Sequence, residues 1–262
     1  TNIINEVLGH NIINKKKNLR SASINSKKIK KNSIFFGVKG KKFDGNKFAI
    51  EAIKNGAALA VSNKKFKNSK IIFYKKPLRL FNRVNSAFRK STNINTIAIT
   101  GSAGKTSVKE LTGFCLEKLE KTYFSKNSFN NKYGVPLSIF NTPESAKFAV
   151  LEVGMDKKGE IDYLTKLIRP NLGLITNISY AHIKNFSNLN QIANAKSEII
   201  NNIITNGTMV INMDDRYYKL FLKISKNRGL KILTFSKVNH KADIVFLSLR
   251  KYKKNFIINI KI

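Results

Sequence analysis

The sequence predicts an α/β protein in two parts. A small N-terminal α/β domain is expected over residues 1–92, followed over 93–262 by a mainly parallel sheet of the P-loop type, with its last part missing. Three observations point there. The apolar run Ile97–Ile99 ends in a glycine-rich turn, Gly-Ser-Ala-Gly-Lys-Thr at 101–106, that hands a Lys-Thr pair to a helical pattern. From residue 95 onward strand and helix patterns alternate regularly, whereas before Ser91–Asn95 there are short strands with one clear helix.

In the first region Ser33 to Val38 and Ala58 to Ser62 have the apolar, β-branched and aromatic character of strands. Lys47 to Asn55 is periodic at helical spacing and stops at Gly56, Lys70 to Tyr74 is a further strand, and a helix runs from Pro77 to about Lys90. Beyond the polar join, strands are predicted at 96–100, 147–153, 172–176 and 208–212. Helices at 105–120, 159–168, 190–204 and 214–226 separate them, which implies parallel strands with helices on both faces and ligands at the carboxyl ends. Three more strands, at 230–235, 242–248 and 254–260, belong at an edge, and the sequence stops on the last of them. With Thr1 in place of a starting Met, the chain is expected to be a piece of a longer protein.

Composition excludes several classes. No run of about 18 apolar residues marks a spanning helix, and no signal-peptide pattern opens the chain. Cys115 is the only cysteine, on the apolar side of a predicted helix, so disulfide and cysteine-metal frameworks are excluded and a reducing cytoplasm is compatible. The formal charge of +34 invites a nucleic-acid partner. Its carriers are mostly Lys, scattered with Asn and Ile along the whole chain as adenine- and thymine-rich codons would produce, and no recognition module accompanies them, so no specific nucleic acid is expected.

The glycine-rich turn is a candidate phosphate cradle formed by Gly101, Ser102, Ala103, Gly104, Lys105, Thr106 and Ser107. Gly101 and Gly104 can take backbone conformations closed to other residues, so that N–H groups and the helix dipole face an anion. Lys105 would supply a cation to the β- and γ-phosphates, and the Thr106 hydroxyl a ligand for Mg²⁺. The longer phosphate-loop pattern needs glycine at position 99, which is Ile99, so the match is to a shorter variant. An ordinary strand-to-helix turn is disfavoured by the strand before it and by Val108, Leu111, Cys115, Leu116 and Leu119 recurring at helical spacing after it.

The remaining parts should follow later strands of the same sheet. Glu152 ends the strand Phe148 to Val153 and is suited to Mg²⁺, although a carboxylate facing water at a strand end would look the same. His182 closes the polar loop after Thr176, where a lone histidine is more often structural or exposed than functional. Lys196 lies in a helical stretch, and in so lysine-rich a chain its default is a solvated face. Asn130 and Asn131 sit in a long polar loop, 127–137, either as donors to phosphate or substrate oxygens or as turn formers.

Together these residues resemble the Mur ligase family. The likeness is carried by Ile-Thr-Gly-Ser-Ala-Gly-Lys-Thr-Ser-Val-Lys-Glu (99–110), Asn-Asn-Lys-Tyr-Gly-Val-Pro-Leu-Ser (130–138) and Leu-Glu-Val-Gly-Met (151–155). It continues in Gly-Glu-Ile (159–161), Thr-Asn-Ile-Ser-Tyr-Ala-His-Ile (176–183) and Ala-Lys-Ser-Glu-Ile (195–199). A looser likeness upstream, at Ser26, Lys27, Asp44 and Gly45, implies contacts to the UDP part of a substrate; the family usually has Asp, Ser and Arg at 25–27 and His at 46.

The resemblance implies a UDP-binding domain followed by an ATPase domain. It implies a bacterial cytoplasmic enzyme, ATP-dependent and monomeric, with Mg²⁺, that joins D-alanyl-D-alanine to a UDP-N-acetylmuramoyl-tripeptide in peptidoglycan synthesis through an acyl phosphate. By the same likeness Gly101–Ser107, Asn130 and Asn131 would bind nucleotide, Thr106 and Glu152 would hold Mg²⁺, and Lys105, His182 and Lys196 would serve the chemistry. His182 would belong to a second metal site, and Lys196 matches a position that relatives carbamylate. The competing assignments are the sister ligase that adds the diamino acid and a non-catalytic nucleotide- or UDP-sugar-binding fragment; retention of Lys105, Thr106, Glu152 and His182 together disfavours the latter. Family members continue into a C-terminal domain that closes over the substrates, so this piece alone is expected to turn over little or not at all.

Overall fold

The computed structural model describes residues 2–9, 19, 21–40, 43–125, 128–180, 185–253 and 255–262. The chain divides into two compact units, one of residues 1–93 with 136–143 and one of 94–135 with 144–262. Both have parallel sheets, as the alternating patterns require.

The first unit contains helix α1 (Asn2–Leu8), strands β1 (Ser21–Ser23) and β2 (Ser33–Phe36), helix α2 (Ala49–Lys54), strands β3 (Leu59–Ser62) and β4 (Ile71–Phe73), and helix α3 (Pro77–Ser91). Its four strands lie in the order β1-β2-β3-β4, all parallel. β2 and β3 are buried along their whole length, which is why they read as unbroken apolar runs. Pro77 opens α3, where a missing N–H costs nothing, and the helix turns Leu80, Phe81, Val84 and Phe88 inward. Phe81 stacks on Phe36 with ring centroids 4.2 Å apart, and Phe140 closes on both rings.

The second unit begins with β5 (Asn95–Thr100), α4 (Lys105–Glu117), β6 (Thr122–Phe124), β7 (Phe148–Glu152), α6 (Glu160–Ile168) and β8 (Leu172–Ile175). It continues through α7 (Leu189–Ser197), β9 (Thr208–Asn212), α8 (Tyr218–Asn227), β10 (Lys231–Ser236), β11 (Ile244–Tyr252) and β12 (Asn255–Lys261). The eight strands run in the order β12-β11-β10-β9-β8-β5-β7-β6, with only β12 antiparallel to its neighbour. From β5 the chain moves outward to β6, returns to β7, and then crosses β5 to reach β8. The order therefore reverses at β5, and in sheets of this kind ligands are received beyond the carboxyl ends of the strands at such a reversal.

Several elements depart from the sequence reading. Residues 134–137, expected to close a loop, belong to helix α5 (Gly134–Phe140), because Pro136 falls in its first turn, where proline is tolerated. α1, β1 and β6 went unread, being too short to show a period. The expected apolar face is largely outward: on α4 Leu111 is 65% exposed and Cys115 is exposed too, and Leu119, just past the end of the helix, is 75% exposed. What α4 buries is Lys109 and Gly113, since a Cβ at Gly113 would collide with the Phe124 ring of β6. A close approach to the sheet selected the smallest residue over the leucine stripe.

Truncating Phe81 to alanine should cost about 3–5 kcal/mol in denaturant unfolding, because a fully buried stacked ring would leave a cavity. Leu119→Ala in the same experiment should stay within about 0.5 kcal/mol of the unaltered protein.

Candidate functional site

The glycine-rich turn lies just beyond β5, at that reversal, and hands the chain to α4. Gly101 has φ 147° and Gly104, the residue capping α4, has φ 77°, both left-handed-side values that favour glycine. A Cβ at Gly101 would collide with the Thr176 hydroxyl; one at Gly104 would meet nothing. The first-turn N–H groups of α4 lack intrahelical acceptors and form its positive end.

The segment after β8 clasps this turn. Ser102 N–H donates to the Asn177 carbonyl at 2.9 Å and Ala103 N–H to Asn177 Oδ1 at 3.1 Å. Thr176 Oγ1 donates to the Ala103 carbonyl at 2.6 Å, Ser102 Oγ to the Ser179 carbonyl at 2.9 Å, and Ser179 N–H back to Ser102 Oγ at 2.9 Å. Two amides of the expected cradle are thus spent on holding its shape. The N–H groups from Gly104 to Ser107 are the ones placed at the helix end.

Two lysines converge on one carbonyl. Lys105 Nζ donates to the Gly101 oxygen at 2.9 Å and to the Ser102 oxygen at 3.2 Å, and Lys196 Nζ reaches the same Gly101 oxygen at 2.8 Å. Lys196 is only 1% exposed, which corrects the solvated face expected of it. α7 buries Lys196 together with Ile192, Ala193, Ala195 and Ser197. Burial, and next the Lys105 charge, lower the Lys196 ammonium to a pKa of about 7. Burial lowers Lys105 as well, with Glu152 opposing.

Glu152, at the end of β7, is 1% exposed and so does not face water. Its Oε2 accepts from the Thr106 hydroxyl at 2.8 Å, and its Oε1 from Asn130 Nδ2 at 2.8 Å. Asn130 is itself fixed by Gly154, whose N–H donates to the Asn130 carbonyl at 2.7 Å and whose missing side chain leaves room for the amide. Asn131 behaves as a turn former: its Oδ1 accepts from Tyr133 and Gly134 N–H, each at 3.0 Å. Lys109, buried under α4, donates to the Ser125 carbonyl and pairs with Glu110 at 2.8 Å. Sequence reasoning did not single it out, because nothing in a lysine-rich helix marks the one that faces inward.

His182 lies outside the described residues. Among the described residues no three His, Cys, Asp or Glu side chains form a metal cluster, and no helix is long and apolar enough to cross a membrane.

The residues expected at a UDP moiety are in the other unit. Ser26, in a 3-10 turn, donates to Glu51 Oε1 of α2 at 3.1 Å, and Lys27 is exposed. Asp44 Oδ1 accepts from the Asn46 N–H at 3.1 Å and from its amide at 2.7 Å, bonds that hold the Asp44 carboxyl below its usual range. Gly45 N–H donates to the Val38 carbonyl at 3.0 Å, and a Cβ there would lie 2.6 Å from that oxygen. Asn46, where the family usually has His, braces the loop by accepting from Asn63 N–H at 2.8 Å.

A glycine turn clasped at a sheet switch point, with a buried carboxylate beside its threonine, is a nucleotide-domain arrangement, and the family comparison agrees with it. The family model described as Mur ligase middle domain matches residues 99–261, and that described as Mur ligase family, catalytic domain, matches residues 18–105. The chain belongs to the Mur ligase family. It is 35% identical over 222 residues to UDP-N-acetylmuramoyl-tripeptide--D-alanyl-D-alanine ligase of Haemophilus influenzae, covering 82% of this chain and 49% of that protein. Among solved structures, MurF of Acinetobacter baumannii shares the fold with a TM-score of 0.85 at 23% identity, over 99% of this chain and 57% of that one. MurF ligase of Thermotoga maritima in complex with ADP superposes with a TM-score of 0.78 at 27% identity, over 94% of this chain and 57% of that one. The chain spans about half the length of the curated relatives it matches.

Gly101→Ala should destabilise the protein by about 1–3 kcal/mol in denaturant unfolding, because strain adds to the collision with Thr176. Gly104→Ala, which meets only the strain, should cost less, about 1–2 kcal/mol.

The Lys196 shift sets a pH dependence. Between pH about 7 and the ordinary lysine value of 10.5 only the unfolded chain keeps the proton, so this group makes stability rise with pH across that window; below about pH 7 both states are protonated and its contribution no longer changes with pH. Melting temperatures measured from pH 6.5 to 9 should therefore rise less in Lys196→Met than in the unaltered protein.

Proposed function

We propose that this chain carries the nucleotide-binding and UDP-binding parts of an ATP-dependent ligase that joins D-alanyl-D-alanine to a UDP-N-acetylmuramoyl-tripeptide in the bacterial cytoplasm. The observation that carries the reading is the hydrogen bond from Thr106 to the buried Glu152 carboxylate beside the clasped glycine-rich turn. The name borne by the Haemophilus influenzae relative, and the ADP in the Thermotoga maritima structure, support the substrate and the nucleotide.

The donor set fits Mg²⁺. Mg²⁺ prefers hard oxygens and is commonly held by one or two protein groups together with substrate phosphates, so a three-residue cage is not required. Thr106 donates its proton to Glu152, which leaves the hydroxyl lone pairs for a cation, and the buried carboxylate supplies the charge. When bound, Mg²⁺ would neutralise the charge that builds on the transferring phosphoryl group. His182 is proposed for a second metal position.

In this reading Lys105 leaves the Gly101 and Ser102 carbonyls for the β- and γ-phosphates, while the α4 N–H groups from Gly104 to Ser107 receive phosphate oxygens. A carboxylate oxygen of the tripeptide attacks the γ-phosphorus, the bond to the bridging oxygen breaks, and ADP departs. The dipeptide amine then attacks the acyl carbon, phosphate leaves with the bonding pair, and the amine gives up a proton. Asn130 keeps Glu152 aimed at the site. Lys196, with its lowered pKa, is uncharged in a large share of molecules at neutral pH, and a free amine can take up CO₂ to form a carbamate, turning a buried cation into a buried anion. Lys27, Asp44 and Gly45 would face the UDP moiety, with Ser26 braced beneath them on α2.

The test follows phosphate release by the protein encoded by the whole gene with ATP, UDP-tripeptide and D-alanyl-D-alanine, each omitted in turn. Release should need all three; release with a free diamino acid in place of the dipeptide would move the assignment to the sister ligase. Lys105→Ala should weaken Mg·ADP binding by calorimetry at least about tenfold, the value of one charge-assisted contact.

A further inference from the structure

We propose that Asp215 is a positioning residue for the phosphate turn, acting through the segment that follows β8. The proposal deepens the nucleotide-binding reading and rests on it only for its second measurement.

Asp215 sits in the turn between β9 and α8, two strands away from β5 in the sheet. Its Oδ2 accepts the Ile178 N–H at 2.8 Å, and its Oδ1 the Tyr217 N–H at 2.8 Å. Ile178 lies between Asn177 and Ser179, which hold Ser102 and Ala103 through bonds of 2.9, 3.1, 2.9 and 2.9 Å. The carboxylate therefore fixes the middle of a three-residue clamp whose two ends grip the phosphate turn. The connection runs across three adjacent strands, β9 to β8 to β5, entirely along their carboxyl ends.

The clamp depends on such a support. Residues 176–180 form neither helix nor strand, so no ladder fixes the peptide plane of Ile178. An ionised acceptor is the strongest single hold on one N–H. The Tyr217 bond anchors the other carboxylate oxygen to the start of α8, which fixes the side chain's rotamer. Asp214, the preceding residue, turns the opposite way: its Oδ1 meets Ser236 Oγ at 2.5 Å and its Oδ2 the Lys237 N–H at 2.6 Å, at the end of β10. The two aspartates of one turn thus hold the strands on either side, and Asp214 is a built-in control for the turn itself.

The experiment compares Asp215→Ala, Asp214→Ala and Asn177→Ala with the unaltered protein by hydrogen–deuterium exchange and by calorimetry with Mg·ADP. Asp215→Ala should raise exchange about tenfold in peptides covering 99–106 and 176–180, with 208–212 unchanged, and should weaken Mg·ADP by a similar factor. Asn177→Ala should do the same at 99–106. Adding Asn177→Ala to Asp215→Ala should then change little, since both act through one clamp. Asp214→Ala should leave 99–106 at the unaltered rate. Unchanged exchange at 99–106 in Asp215→Ala, or an equal rise there in Asp214→Ala, overturns the proposal. If the unaltered protein binds no Mg·ADP, the nucleotide reading fails, and the exchange comparison still decides whether Asp215 positions the turn.

Discussion

Two ammonium groups end on a single backbone oxygen, that of Gly101, and the geometry of the site depends on that convergence. A carbonyl carries only a partial negative charge, so it orients two cations without neutralising them, and the residual repulsion is felt most by the more buried. Burial first, and the Lys105 charge second, lower the affinity of Lys196 for a proton, and burial lowers that of Lys105 as well. The backbone of the turn is set by its own hydrogen bonds to Thr176, Asn177 and Ser179. Only glycine permits this at 101, where backbone conformation and the Thr176 hydroxyl both exclude a side chain.

The rest of the second unit arranges itself to keep that turn still. β5 lies where strand order reverses, and the strands on both sides supply what surrounds the turn. β7 brings Glu152, with Asn130 locking the carboxylate, and the segment after β8 brings the clasp of Thr176, Asn177 and Ser179. These loops are held largely by side-chain-to-backbone hydrogen bonds, which satisfy backbone groups that no ladder pairs. Net charge plays a different part. Most of the lysines responsible for +34 are solvated and raise the local concentration of anions, while Lys109 and Lys196 are enclosed and act by contact.

Much of the fold was legible because its strands are short apolar runs between helices of regular period, and parallel crossovers admit few topologies. The glycine-rich turn was legible because Gly, Lys and Thr at that spacing follow an apolar strand and open a helix. Glu152 was visible as an acid among apolar residues at a strand end. The leucines of α4 misled, since helical spacing reports a face but not which face meets the sheet, and the glycine against Phe124 settled that. Lys196 misled for a related reason: in a sequence where lysine is the commonest polar filler, identity carries almost no information about burial.

The sequence by itself determined the alternating strands and helices, the place of the glycine-rich turn, and the Thr106 and Glu152 oxygens beside it, because each depends on local periodicity or on residue types at short range. Tertiary structure alone decided which lysines turn inward, that Ser102 and Ala103 spend their amides on Asn177, and that Asp215 stands behind that clasp. Those contacts join residues 37 to 95 positions apart, brought together only when β9, β8 and β5 align in register. No pattern within one segment encodes an alignment between segments, since it follows from how the strands pack.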